Sequence, residues 1–248
     1  MNGGPLTISA PTLAHAWSDA FSAITKTGIT EIAPLIVTFA TDTPREHPVQ
    51  SCIDVALKSE GEFVTDTVAG TMFPRAFWNP AMDRQRLYAR YATAYPAIRR
   101  VKQNKYGTYF HRLVSYEAST GPINQLEKMF VSYESGNHRR SALQATVFDP
   151  TKDHTKQRQR GFPCMQQVSF ALVGTSDLHV NGFYATEYLF ETAYGNYLGL
   201  RDLGTFVAAE LRRTLTRVTC YAGIALLGDV KVSRARVLVA CVREALVA

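Results

Sequence analysis

A single domain of mixed α/β class is what this sequence predicts, and three observations carry that expectation. Helix-spaced apolar stripes alternate with β-rich runs along the whole chain. Apolar residues make up 46% of the 248 and charged residues only 19%, which supplies a sizeable core and excludes global disorder. Thirteen Phe and twelve Tyr favour strands and aromatic-walled pockets over a plain helical bundle. No repeat, low-complexity run or long polar linker divides the chain, so residues 1–248 are expected to form one domain.

Taken in order, Leu13, Trp17, Phe21 and Ile24 form one stripe and predict a helix over 10–24. Ile32 to Ala40 is β-rich and ends at the turn-like Asp42-Thr43-Pro44. Gln50 to Leu57 and Glu62 to Thr67 alternate enough to predict strands. A basic helix is expected over much of 81–92. The clearest helix spans 121–135, with Leu126, Met129, Phe130 and Tyr133 on one face, Asn124 as its cap and Gly136 as its stop. Ser141 to Phe148 predicts a strand, and Gln167 to Val173 and Leu178 to Tyr184 predict two more around a Gly174–Asp177 turn. A helix is expected over Leu198 to Arg212, then strand at Arg217 to Ile224 and strand or strand-helix material at Val230 to Val239.

No apolar run approaches the ~20 residues that span a bilayer. The start, Met1-Asn2-Gly3-Gly4-Pro5, lacks the basic region of a secretory signal. Cys52, Cys164, Cys220 and Cys241 have no metal-ligand spacing, so no metal site is expected. Free thiols in a reducing cytoplasm are the expectation. The net charge is +6 and the excess is local: Arg75 to Lys105 holds eight cations against Asp83 alone. Such a stretch suits an anionic partner, a phosphorylated small molecule or a nucleic-acid backbone, or is simply a solvated helix face.

Three segments carry candidate chemistry. Cys164 follows Pro163, whose ring stiffens the backbone, and Lys156, Arg158 and Arg160 lie just upstream. Nearby cations favour a thiolate; the alternative is an inert, buried cysteine at the start of a strand. Arg139 and Arg140 follow the 121–135 helix, where adjacent guanidinium groups can fork onto a phosphate or stand as surface charges. Asn196 lies at a helix entrance, where its amide either caps the helix or meets the imide edge of a heterocycle.

In order and spacing these segments resemble the thymidylate synthase and pyrimidine nucleotide hydroxymethylase superfamily over roughly 105–210. Gln125 stands at the family's Asp-Gln helix start, Arg139-Arg140 at its Ser-Arg-Arg, Phe148-Asp149-Pro150 at its Trp-Asn-Pro, and Pro163-Cys164 at its Pro-Cys. Asn196 matches its pyrimidine-reading Asn, and Tyr106-Gly107 its Tyr-Gly. The resemblance implies a thymidylate-synthase-like three-layer fold with a large mixed β-sheet flanked by helices, and a homodimer whose active site is shared between subunits. It implies a transferase in which Cys164 adds to C6 of a pyrimidine nucleotide or nucleoside, so that C5 accepts a methyl or hydroxymethyl unit, usually from 5,10-methylenetetrahydrofolate. Tyr106 would handle protons near C5, Asn196 would bind the base, and Arg139, Arg140, Arg45 and Thr186 would hold the phosphate end.

The sequence also departs from the pattern. The family's Gln-Arg-Ser reads Tyr184-Ala185-Thr186, its folate-binding Asp aligns with Tyr188, with Glu187 or Glu191 as replacements after a small shift, and its His-x-Tyr ribose clamp has no match in the apolar 222–227. These departures imply a divergent member, with a non-catalytic nucleotide-binding or regulatory protein on the same fold as the alternative. A single-strand nucleic-acid platform of Tyr88, Tyr91, Tyr95 and Tyr106 ranks last, since no nucleic-acid motif accompanies it.

Overall fold

A computed structural model describes residues 2–27, 29–41, 48–154 and 163–247. Two short N-terminal strands, β1 (Asn2–Gly3) and β2 (Leu6–Ala10), lead into helix α1 (Leu13–Thr27). Its Trp17, Phe21 and Ile24 are fully buried, as their spacing predicts. Trp17 donates its indole N–H to the Leu189 carbonyl at 2.8 Å. Strands β3 (Glu31–Ile32) and β4 (Leu35–Ala40) follow.

Gln50 to Leu57 and Glu62 to Thr67 are not strands. The chain forms α2 (Pro48–Ser59) and α3 (Thr65–Met72) there. Val49, Ile53 and Leu57 recur every four residues and are the buried face of α2; that spacing outweighs the local alternation. Asp54 fixes the start of α3 by accepting from both the amide and the hydroxyl of Thr65 at 2.8 Å.

The basic helix α4 runs longer than expected, Arg84–Arg100, capped by Asp83. A short loop leads to α5 (Tyr109–Val114) and the hairpin β5 (Tyr116–Ala118) and β6 (Gly121–Ile123). Helix α6 (Gln125–Glu134) starts where its cap predicts, with Asn124 accepting the Glu127 amide at 2.9 Å. It stops before Gly136, whose φ of 94° requires glycine. The strand expected over Ser141 to Phe148 shrinks to β7 (Gln144–Thr146), followed by α7 (Pro150–Asp153). The long hairpin β8 (Met165–Val173) and β9 (Asp177–Tyr188) turns at Gly174. Helix α8 (Tyr194–Glu210) then crosses the core, β10 (Thr214–Leu226) returns through the sheet, and α9 (Val232–Val247) closes the described chain.

The sheet is mixed, ordered β2–β4–β10–β9–β8–β7, with β3 on the far end of β10 and β1 beside β3. β9 and β10 run parallel because α8 carries the chain between them; β4 and β8 flank them antiparallel. One face of the sheet packs on α1 and α8, and α3 and α9 lie against those helices in turn. The opposite face leaves Phe183, Tyr221 and Ile224 each more than a third exposed.

The alternation of inward residues slips once in three adjacent strands at one level. On β9 the inward series is Leu178, Val180, Gly182 and Tyr184, and then Glu187. On β10 it is Val218, Cys220 and Ala222, and then Ala225. On β8, Met165 and Val168 are both inward across an irregularity in register. A slip of one residue exchanges the faces of everything beyond it. Glu187 therefore points into the core where an unbroken strand would have pointed Thr186.

The cysteines also differ from expectation. Cys52 of α2 and Cys241 of α9 form a disulfide with Cα atoms 6.3 Å apart, and only Cys164 and Cys220 are free thiols. This corrects the expectation that all four are free, and with it the argument that made a reducing compartment the natural one. No helix among the described residues is long and apolar enough to cross a membrane.

Candidate active site around Cys164

The β8–β9 hairpin places Cys164 immediately before β8, where its carbonyl accepts the Ala185 amide at 2.9 Å. The same end of β9 leads through the turn 189–193 into α8, which brings Asn196 to the same place. The buried Tyr109 of α5 bonds to the backbone of Met165 and Cys164. The result is a cavity of about 440 Å³. Cys164, Asn196 and Tyr188 line it from the sheet and α8, Thr67, Val68 and Thr71 from α3, and Lys102, Lys105 and Tyr106 from the loop after α4.

Three of the predicted site residues, Cys164, Asn196 and Tyr106, thus share one cavity although 58 and 32 residues separate them along the chain (164 − 106 and 196 − 164). Tyr106 is 40% exposed, a ring at the rim rather than in the floor. Thr186 is half-buried and lies outside the cavity lining, because the strand slip turned Glu187 inward instead. Arg139 and Arg140 are exposed beyond α6, and Arg139 borders a separate groove with Gln125 and Asn137. The chain therefore does not bring either arginine to its own Cys164 cavity. Arg45 and the basic Lys156, Arg158 and Arg160 fall outside the described residues.

Asn196 does not cap α8, which begins two residues earlier and has no side-chain cap. Its side chain is 3% exposed and donates from Nδ2 to Glu187 Oε1 at 3.3 Å. The amide nitrogen is thereby engaged, and Oδ1 is the atom left to accept from a ligand N–H. Glu187 also accepts from the Tyr197 hydroxyl at 3.1 Å and lies 3.7 Å from Cys220 Sγ. Burial pushes its carboxyl up to about 7, against the three hydrogen bonds that favour the charged form. In sequence Glu187 is only a candidate, with Glu191, for the position of the family's folate-binding acid. The signal that finds its role is positional: the one carboxylate at the end of a long strand, nine residues before Asn196.

Burial also pushes the Cys164 thiol up, to about 11, and the charge of Glu187 adds to the shift. Burial thus works against the arming that Lys156, Arg158 and Arg160 would supply, and those three cations lie outside the described residues. The thiol in contact with Glu187 is that of Cys220, while the Cys164 sulfur feels only the carboxylate's charge. A carboxyl that titrates near neutrality is a candidate acceptor for a proton from this region.

Part of the basic stretch that suggested a nucleic-acid platform is engaged in the fold. Arg84 meets Glu127, Glu134 and Glu210 at 2.9, 2.7 and 3.0 Å. Arg75 pairs with Asp202 at 3.0 Å, and Arg90 donates to the Phe77 carbonyl. Tyr91 is buried and bonded to Thr108, and Tyr95 is stacked on His111 at 3.6 Å. Among the described residues the four tyrosines Tyr88, Tyr91, Tyr95 and Tyr106 form no row of exposed rings for bases to stack on. Among the described residues no cluster of side chains could hold a metal ion.

No protein-family model and no curated protein matches the chain.

Proposed function

We propose that this chain is a divergent thymidylate-synthase-like transferase that moves a one-carbon unit to C5 of a pyrimidine nucleotide or nucleoside. The observation that carries the reading is the single cavity in which Cys164, Asn196 and Tyr106 meet. Asn196 Oδ1 accepts the imide N–H of a uracil-like ring and sets its unsaturated edge over Cys164. The Cys164 proton leaves toward the Glu187 carboxylate, the sulfur adds to C6, and electron density gathers at C5. C5 bonds to the carbon of an iminium-type, formaldehyde-level donor, the C5 proton passes to water at the rim beside Tyr106, and the C–S bond breaks with the thiolate leaving. Water then displaces the donor's amine, so that a hydroxymethyl group is formed without a reductant; a methyl product would need a hydride donor in addition. This is covalent catalysis that splits one hard substitution into easier steps.

The family's donor is methylenetetrahydrofolate, and the residues here do not reproduce its seat. Tyr188 stands where the family has its acid, Glu187 is turned inward to Asn196, and Glu191 accepts the Asp229 amide. No step is therefore routed through folate.

A homodimer fits the same reading. The uncovered sheet face offers Phe183, Tyr221 and Ile224, and Arg139 and Arg140 are free to serve a neighbour's cavity. A cytoplasmic enzyme would need the Cys52–Cys241 bond to persist against cellular reductants.

Release of tritium from C5 of pyrimidine nucleosides and nucleotides tests the chemistry. The wild type is expected to exchange and Cys164→Ala to lose exchange by a factor of about 10³ or more; a wild type that exchanges none of them sinks the transferase. The second reading, a nucleotide-binding protein without catalysis, is favoured by the Cys164 thiol lying near 11. Iodoacetamide labelling against pH separates the two. A half-rate pH well below 8 marks an armed thiolate and supports transfer, whereas labelling that climbs only toward pH 11 supports binding alone.

A further inference from the structure

Once the ion pairs of the basic stretch are set aside, two cations remain at the cavity. Lys102 and Lys105 both line it and both are exposed. Neither has a carboxylate within 4 Å among the described residues, in contrast to Arg75, Arg84 and Arg112. Their loop is held in place. Asn104 Nδ2 donates to the Ile98 carbonyl at 3.3 Å, and the Gly107 amide donates to the Asn104 carbonyl at 2.9 Å. Gly107 adopts φ of 114°, a conformation that favours glycine and turns the chain sharply after Tyr106. Lys105 Nζ lies 4.5 Å from the centre of the Tyr106 ring, which keeps the ammonium at the rim without neutralising it. Glu62 is the one carboxylate among the lining residues, so the charged groups of the lining sum to one positive charge.

We infer that Lys102 and Lys105 form an anion-binding site of this chain's own, which takes the phosphate of a pyrimidine nucleoside phosphate whose ring lies between Asn196 and Cys164. The heterocycle in that statement rests on the proposed function; the anion site rests on the lysines and the cavity alone. The family-like position for a phosphate-binding arginine is Ala185 here, an exposed alanine with no donor. Two ammonium groups on an ordered loop supply the missing charge as point donors, and they attract the anion over a distance set by ionic strength. Exposed charge at the entrance of a partly apolar cavity also raises the encounter rate for anionic over neutral ligands.

The test uses the full chain with ¹³C-methylated lysines, titrated at low salt with inorganic phosphate, with a pyrimidine nucleoside 5′-monophosphate and with the unphosphorylated nucleoside. Lys102→Gln and Lys105→Gln assign the two resonances. Both side chains are exposed, and an unchanged thermal midpoint confirms that the variants fold. Phosphate and the monophosphate are expected to move both resonances, with an effect that fades as salt is added. The double variant should bind the monophosphate about tenfold or more weakly and the nucleoside as before. Silence of both resonances toward both anions overturns the site, as does equal weakening of nucleoside and monophosphate. If phosphate moves the resonances while the wild type exchanges no C5 tritium, the transfer chemistry fails and the anion site stands; exchange with silent lysines is the reverse result.

Discussion

Glu187 is the residue on which the site's protonation turns. It is 1% exposed, bonded to Asn196 and Tyr197, and its carboxyl is raised from 4.5 to about 7. A raised carboxyl means that the folded state holds its proton longer than the unfolded chain does. The resulting stability is complete below the unfolded value near 4.5 and is lost as pH rises through about 7. The loss is on the order of 3 kcal/mol. Urea unfolding of the wild type should therefore weaken across that window, and Glu187→Gln should flatten the profile because its amide cannot ionise. The same variant should slow C5 exchange more than it weakens ligand binding, since the amide keeps a partner for Asn196 but accepts no proton from Cys164. A pH profile unchanged by Glu187→Gln would remove Glu187 from the proton path.

The meeting of α3 and α8 sets the cavity's far wall. A Cβ on Gly195 would lie 2.5 Å from Val68 Cβ, and one on Gly199 2.5 Å from Met72 Cβ and 3.0 Å from the Ala69 carbonyl. These glycines, one turn apart, let the two helices approach at backbone distance, and that approach brings Thr67, Val68 and Thr71 to the cavity. Gly199→Ala must push α3 outward, with an expected cost of about 1–3 kcal/mol. Gly70 lies in α3 with nothing within 4 Å of its added Cβ. Gly70→Ala should be neutral or gain up to ~1 kcal/mol, since glycine is a poor helix former. Urea unfolding of the two variants reads the difference, and ligand affinity should fall only in Gly199→Ala.

For the molecule as a whole, the open sheet face decides whether the site can be completed by a second copy. Phe183 and Tyr221 lie 6.4 Å apart between ring centres on adjacent strands, and Ile224 continues the patch along β10. Buried between two copies, such a face contributes roughly 25 cal/mol per Å². Sedimentation should give a dimer for the wild type, and Tyr221→Asp should shift it to monomer without unfolding it. A wild type that sediments as a monomer at ~100 µM, far above the affinity of an obligate pair, would leave Arg139 and Arg140 without a role in catalysis.

The mixed α/β class, the helices containing Trp17 and Leu126, the hairpin around Gly174 and the grouping of Cys164, Tyr106 and Asn196 were all legible in the sequence. Each depends on local period, turn chemistry or motif order, which a chain displays without folding. The helices at 48–59 and 65–72 were not legible, because short apolar runs fit two periods and only the core they pack on selects one. The inward turn of Glu187 and the loss of Thr186 from the site arise from a slip shared by three neighbouring strands, which no single strand encodes. The Cys52–Cys241 bond joins residues 189 apart, a separation that sequence spacing does not predict. Whether a basic residue is spent or available was likewise a tertiary matter: Arg84 and Lys105 look alike in sequence, and only packing gave one three carboxylates and the other an open cavity.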